Sequence, residues 1–145
     1  MSDTVSVLRS DVPTVEDAIR VAEFRVALRR FFRMTEIAAR ESRLTPRQYL
    51  LLLLVKGAPD GSEQTTVGEL CKRLYLAQST VTELVSRAVD AELVLVTQSD
   101  ADGRVSEIRL SAEGERRLAD CFVRLEDERE LLRTGLAELD RSVSA

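Results

Sequence analysis

The sequence predicts a mainly α-helical fold with one small β-hairpin. Apolar residues recur at spacings of three and four over most of the chain, which is the period of a helix packed on one side. The exception is residues 93–110, where β-branched and alternating residues flank the turn-forming stretch 99–103. With 145 residues the chain is long enough to bury a core, and we expect one domain over residues 1–145.

The composition argues against the familiar enzyme classes. The chain has no histidine and two isolated cysteines, Cys71 and Cys121, which removes the serine and cysteine triads and the commonest metal ligand. It has no glycine-rich phosphate loop either. We therefore expect no enzymatic activity, no cofactor and no metal. No apolar run reaches the ~18 residues of a membrane helix, and the first residues do not form a signal peptide, so a cytoplasmic location without membrane contact is expected.

The first predicted helix begins after Thr14 and runs to about Glu41. Thr14 is a suitable N-cap, with Glu16 and Asp17 in the first turn, where the helix dipole favours carboxylates. Its apolar residues form two stripes, one of Val15, Ile19, Ala22 and Val26 and the other of Val21, Phe24, Leu28, Phe31 and Ala38. This face is wider than one core contact needs, which predicts a second contact beyond the domain's own core.

Capping signals define the next two helices. Thr45, Pro46 and Gln48 form a capping box with proline at the first helical position. Residues 49–55 are apolar on all sides, so this helix should lie at the centre of the domain. Thr66 and Glu69 form a second capping box before a short amphipathic helix.

A helix-turn-helix follows, and the hairpin comes directly after it. Residues 75–77 link the short helix to another whose buried face is Val81, Leu84, Val85 and Ala88, and whose outer face is Ser79, Glu83 and Ser86, flanked by Thr80, Thr82 and Arg87. Two such helices followed by a hairpin predict a winged helix-turn-helix lobe over residues 44–110.

The last predicted helix is long and begins after Ser111, which caps it. It carries a heptad-like seam of Leu118, Phe122, Leu125, Arg129, Leu132, Leu136 and Leu139. A seam of this kind favours a partner helix. Together with the wide-faced first helix, it predicts a homodimer whose dimerisation helices are residues 14–43 and 111–145.

Three segments carry a family resemblance. LTPRQYLLLLLV, LAQSTVTELVSRAVDAELV and SDADGRVSEIRLSAEGERRL resemble the second helix, the recognition helix and the wing of MarR regulators, and the resemblance extends over residues 14–136. It implies a dimer that binds duplex DNA through the recognition helix, with Asp102 holding Arg104 at the tip of the wing in the minor groove. The implied DNA-binding residues are Gln78, Ser79, Thr80, Thr82, Glu83, Ser86, Arg87, Asp102 and Arg104. It also implies a small aromatic or anionic effector near Phe31, Phe32, Arg47 and Tyr49.

The chain departs from the family pattern at several positions. Ala77 replaces a capping residue, Tyr75 and Glu92 stand where glycine is frequent, and Glu83 stands where a basic residue is frequent. Glu92 is expected in the left-handed conformation, at a cost of about 1 kcal/mol. Residues 65–111 carry seven acidic and five basic side chains.

The sequence favours a sequence-specific, double-stranded DNA-binding transcription regulator. It would act as a ligand-responsive repressor, in the form of a homodimer on a pseudo-palindromic operator. The acidic balance of the lobe motivates the alternative, a winged-helix protein-interaction module that has lost DNA binding. An enzyme is the third interpretation, and no residue constellation supports it.

Overall fold

The computed structural model describes residues 12–98 and 105–143. It is mainly α-helical with a small antiparallel sheet, as predicted. The described elements are α1 (Val15–Glu41), α2 (Pro46–Lys56), β1 (Gln64–Thr66), α3 (Val67–Leu74), α4 (Gln78–Asp90), β2 (Val94–Gln98), β3 (Ser106–Leu110), α5 (Ala112–Arg124) and α6 (Glu126–Val143).

Side-chain caps fix the starts of the helices. The backbone N–H of Gln48 donates to the Thr45 hydroxyl at 3.1 Å, and the Thr45 N–H donates back to the Gln48 side chain at 3.0 Å, which completes the predicted capping box. The second predicted capping box, at Thr66 and Glu69, is only half formed, so this prediction was wrong in part. Thr66 accepts from the Glu69 N–H at 3.2 Å, but the Glu69 carboxylate lies 3.5 Å from Lys72 Nζ instead of returning to the cap.

The hairpin belongs to a three-stranded sheet in the order β1-β3-β2. Strands β2 and β3 pair antiparallel, with Val94 opposite Leu110 and Gln98 opposite Ser106. The strand β1 was not predicted. Its three residues pair with β3, with Thr65 opposite Ile108, so the sheet closes on the segment that leads into α3.

The single terminal helix predicted from the leucine seam is in fact two helices, α5 and α6, which break at Leu125. The backbone of Leu125 leaves the helical region at φ −101° and ψ 9°. Leu118 and Leu125 are 5% and 1% exposed, and they belong to the core of the compact unit Arg33–Glu126, called the winged lobe from here on. Leu118 and Leu125 of the seam therefore complete a core within the chain and do not require a partner, whereas Phe122 is 44% exposed.

The core of the winged lobe is built around α2, as predicted. Its fully buried large side chains come from α2, α3, α4, the sheet and α5: Leu51, Leu52, Val55, Leu70, Val81, Leu93, Val94, Ile108, Cys121 and Leu125. Leu50 is the exception on α2, since 42% of it is exposed.

A close backbone approach joins α5 to the start of the hairpin. A Cβ placed on Gly114 would lie 2.1 Å from the carbonyl oxygen of Leu93. The Ser111 N–H donates to that same oxygen at 3.0 Å, and the Ser111 hydroxyl donates to the Glu92 carbonyl at 2.6 Å. Position 114 therefore requires glycine, because any larger side chain would collide with the backbone of Leu93.

The chain divides into two compact units. The terminal unit is Met1–Phe32 with Asp127–Ala145, of which residues 12–32 and 127–143 are described, and the winged lobe is Arg33–Glu126. In the terminal unit, large apolar side chains remain more than half exposed: Val12, Val15, Ile19, Val21, Val26, Phe32, Leu131 and Leu136. Among the described helices, none has the length and apolar character needed to cross a membrane.

Candidate nucleic-acid interface

The outer face of α4 is a continuous polar surface. Val81, Val85 and Ala88 hold the helix against the core, so the opposite side points to solvent. That side forms a shallow exposed surface lined by Gln78, Ser79, Thr82, Glu83 and Ser86. All five were predicted from the sequence as members of the DNA-binding set.

The two remaining predicted residues of α4 lie at one border of this surface. Thr80 and Arg87 line a groove between α4 and the first turn of α2, together with Arg47, and Glu83 belongs to both surfaces. The structure therefore brings all seven predicted residues of α4 together on one side of the winged lobe.

A cleft on the other border was not predicted. Gln78 and Thr82 share it with the first turns of α3 and with the start of β3, and its further lining residues are Thr66, Val67, Gly68, Cys71, Val105 and Ser106. None of its lining residues is charged. The sequence does show the small residues that follow the Thr66 cap. Their position next to α4 depends on tertiary packing, so the cleft could not be predicted from them.

The N-terminus of α4 has no side-chain cap. Ala77 takes the extended conformation of a cap residue, at φ −66° and ψ 151°, but offers no acceptor. The first N–H groups of a helix have no intrahelical partner. Those of α4 are thus available to an anion such as a phosphate, at the end of the helix where the dipole is positive.

Two non-glycine residues beside α4 adopt the left-handed conformation. Glu92 has φ 60°, which confirms the expectation from the sequence. Tyr75, in the turn between α3 and α4, has φ 54° and is 93% exposed. The side chain of Tyr75 therefore gains little from packing while its backbone carries strain.

The cations of the helix-turn-helix are each engaged by a neighbour. Arg87 donates to the Glu83 carboxylate at 2.7 Å, and Lys72 lies 3.5 Å from Glu69. Arg73 donates to the carbonyl oxygen of Leu54 at 3.2 Å, which fastens α3 to α2. The described part of this surface is therefore polar with little free positive charge.

Ion pairs fasten α5 to the rest of the lobe. Lys56 contacts both Glu63 and, at 3.1 Å, Glu115, and these carboxylates raise the pKa of Lys56. Arg124 bridges to Glu41 at 2.8 Å, which links α5 to the end of α1. These contacts hold the scaffold that carries α4.

Glu113 lies between two arginines in the first turns of α5. Hydrogen bonds from Arg116 and Arg117 lower the pKa of Glu113 from 4.5 to about 2. Arg117 also donates to the carbonyl oxygen of Arg43 at 2.9 Å. The Glu113 carboxylate thereby orients an arginine that ties α5 to the loop before α2.

Several predicted site residues are not part of this surface. Asp102 and Arg104 lie outside the described residues. Of the predicted effector-binding residues, Phe31 and Phe32 belong to the terminal unit, where their rings meet edge to face at 5.8 Å. Tyr49 and Arg47 belong to the winged lobe, with Tyr49 6% exposed and Arg47 on the surface. The effector site therefore stays a prediction.

The described geometry defines a winged helix-turn-helix: α3 and α4 joined by a tight turn, followed by β2 and β3 and supported by α2 and α5. Comparison with known proteins finds a family similarity in this lobe. Residues 44–105 match the model of the MarR family. This region is therefore similar to MarR regulators, in agreement with the resemblance seen in the sequence.

One curated relative and several solved structures are similar to this chain. An uncharacterized HTH-type transcriptional regulator of Bacillus subtilis (strain 168), YsmB, is 36% identical over 84 residues, which cover 58% of this chain and about half, 55%, of that protein. A mutant of E. coli MarR complexed with operator DNA superposes with a TM-score of 0.68 at 17% identity, covering 91% of this chain and 97% of that chain. BpsR of Bordetella bronchiseptica, from a study of how 6-hydroxynicotinic acid regulates its DNA binding, superposes at 0.62 with 19% identity, covering 90% and 93%. The structural likenesses establish the fold.

Proposed function

We propose that the protein is a transcription regulator that binds double-stranded DNA through the outer face of α4. The observation that carries the proposal is the single exposed surface formed by Gln78, Ser79, Thr82, Glu83 and Ser86 on a helix that a winged scaffold holds away from the core. Short hydroxyl and amide side chains allow a helix to approach base edges and phosphates closely. The uncapped start of α4 adds backbone donors for a phosphate.

The proposal includes a homodimer on a pseudo-palindromic operator. Exposed apolar residues on both segments of the terminal unit, such as Val15 at 77%, Val26 at 62% and Leu136 at 55%, support a second copy as the covering partner. Two recognition helices related by a twofold axis would contact half-sites about one helical turn, ~34 Å, apart. Arg104 of each wing, with Asp102 holding it, is the proposed minor-groove contact.

Repression released by a small aromatic or anionic effector is the finer part of the proposal. Its support is the fold shared with BpsR, whose DNA binding is regulated by 6-hydroxynicotinic acid. Titrating that acid and benzoate into a protein–operator complex tests this part by itself. Release of the DNA would support an effector role, and substitution of Arg47 would then show whether this residue holds the carboxylate.

The test of DNA binding is fluorescence anisotropy with duplexes from the region upstream of the protein's own coding sequence, at several salt concentrations. Arg104→Ala is compared with Arg116→Ala, which removes an arginine on α5 whose partner is Glu113. We expect salt-sensitive binding. The log–log salt slope should fall by about 0.9 for each phosphate that Arg104→Ala no longer neutralises, and Arg116→Ala should leave the slope unchanged.

The competing function is a protein-interaction module that kept the scaffold and lost DNA binding. The ion-paired cations of the helix-turn-helix and the seven acidic against five basic side chains of residues 65–111 favour it. A folded dimer, shown by light scattering, that binds none of the duplexes at low salt would refute the DNA-binding proposal and support this one.

A further inference from the structure

The exposed face of α4 carries an ion pair at its border with the neighbouring groove. Glu83 and Arg87 are one turn apart, and Arg87 Nη2 lies 2.7 Å from Glu83 Oε1. Both side chains remain largely in solvent, at 64% and 73% exposure. An exposed pair at this spacing contributes little to helix stability, so the fold does not depend on it.

The pair uses only part of its hydrogen-bonding capacity. The bond joins one carboxylate oxygen to one N–H, whereas a carboxylate has a second oxygen and a guanidinium carries five N–H groups. Glu83 and Arg87 therefore present an acceptor and several donors side by side. The bond favours a conformation in which the long arginine side chain lies over one turn of the helix, next to Glu83.

That arrangement is complementary to one base pair in particular. In the major groove a C·G pair shows the N4 amino donor of cytosine next to the O6 and N7 acceptors of guanine. A carboxylate accepts from cytosine N4, and an arginine fork fits guanine O6 and N7. The ion pair also neutralises Glu83, which would otherwise be repelled by the phosphates on either side of the groove.

We propose that Glu83 and Arg87 act as one unit that reads a C·G base pair in each half-site, with Glu83 on the cytosine and Arg87 on the guanine. This inference rests on the proposed function and adds the base that this face selects. Ser79, Thr82 and Ser86, which share the surface with Glu83, are short enough to let the pair reach the base edges.

The experiment is selection of binding sites from a random duplex library with the full chain. The wild type is compared with Glu83→Gln, Arg87→Lys and Asp90→Asn, the last of which removes a negative charge from an exposed position two turns further along α4. All four proteins are first checked for equal thermal stability, because each substituted side chain lies on the surface.

We expect the wild type to prefer C·G at one position of each half-site by about fivefold or more, which is the lower limit for a good bidentate contact. Glu83→Gln should move this preference towards A·T, because a glutamine amide pairs with adenine N6 and N7. Arg87→Lys should weaken the guanine preference, since lysine lacks the fork. Asp90→Asn should select the wild-type site.

Two results would overturn the inference. If Glu83→Gln binds every duplex more tightly by the same factor, or if Asp90→Asn changes the selected site equally, Glu83 acts only through its charge. If the wild type selects sites but Glu83→Gln selects the same sites, the inference fails and the proposed function stands. Selection of no duplex by the wild type overturns the proposed function and this inference together.

Discussion

Substitution of Gly114 by alanine tests whether the start of the hairpin and α5 depend on one backbone contact. The new Cβ would lie 2.1 Å from the Leu93 carbonyl oxygen, and real contacts of this kind are not shorter than 3.0 Å. The two segments must therefore separate by most of an ångström. Backbone is involved on both sides, so no rotamer change relieves the contact.

Separating the two segments costs more free energy than the higher helix propensity of alanine contributes. It strains the hydrogen bonds from Ser111 to the Leu93 and Glu92 carbonyls, now 3.0 Å and 2.6 Å, and a net loss of about 0.5–1.5 kcal/mol is typical for each such bond. Overpacking adds about 1–3 kcal/mol. The gain of alanine over glycine in a helix is at most about 1 kcal/mol. We therefore expect Gly114→Ala to lower the free energy of unfolding by about 2 kcal/mol or more.

Gly68→Ala is the matched control, because Gly68 also lies in the first turn of a helix of the same lobe and its nearest neighbour to a new Cβ is 3.8 Å away. Urea unfolding followed by circular dichroism, at one protein concentration for all variants, measures both changes. We expect Gly68→Ala to be neutral or slightly stabilising. If Gly114→Ala were as stable as the wild type, the inferred contact between α5 and Leu93 would be wrong.

Two further predictions concern strain and pH. Tyr75→Gly should raise the unfolding free energy by up to about 1 kcal/mol, because glycine removes the cost of φ 54° and the 93% exposed ring makes little packing contact that could be lost. The control Tyr75→Ala keeps the strained backbone and should melt like the wild type. A glycine variant that is less stable than the wild type would show that the ring is needed. Glu113 has a folded-state pKa of about 2, below its ordinary 4.5, so its contribution to stability is present above pH 4.5 and is lost as the pH falls towards 2. Glu113→Gln should therefore lose less stability than the wild type over that pH interval, as measured by urea unfolding at each pH. If the unfolding free energies of the two proteins fell in parallel with pH, the contacts of Glu113 with Arg116 and Arg117 would not form in the folded protein in solution.

The elements that could be predicted from the sequence are those whose signals are local. Thr45 with Gln48, and Ser111, fix helix starts through hydrogen bonds to residues three positions away, so their sequence spacing is sufficient. The strand β1 could not be predicted, because its residues Gln64–Thr66 are polar and its pairing partner lies more than 40 positions later in the chain. The break at Leu125 was hidden because no glycine or proline marks it and leucines at helical spacing fit one helix or two.

The candidate site also has a part that the sequence predicts and a part that depends on tertiary packing. Periodicity alone separates the buried Val81, Val85 and Ala88 from the exposed face of α4, so its polar residues could be predicted as a group. The cleft that adds Gly68 and Ser106 depends on how α3 and β3 pack beside α4. The pairing of Arg87 with Glu83 is allowed by their spacing, but the same spacing also fits two separate side chains in solvent.

The distribution of charge on this lobe has a consequence for how DNA would be selected. Non-specific affinity comes from cations that displace counterions, with a salt slope of about 0.9 for each phosphate neutralised. Lys72 and Arg87 are each held by a carboxylate, and Arg73 by a carbonyl, so they contribute less to that term than free cations would. If Arg104 is the main cation that contacts phosphates in each protomer of the proposed dimer, the dimer would have a slope near 2, far below that of a strongly basic protein. Discrimination between sites must then come from polar contacts to base edges, which are worth about 1–3 kcal/mol each and depend little on salt. Under the proposed function, the weak electrostatic attraction of the lobe would lower binding to every sequence, whereas base contacts from α4 would remain. The acidic balance would then favour selectivity at the expense of affinity.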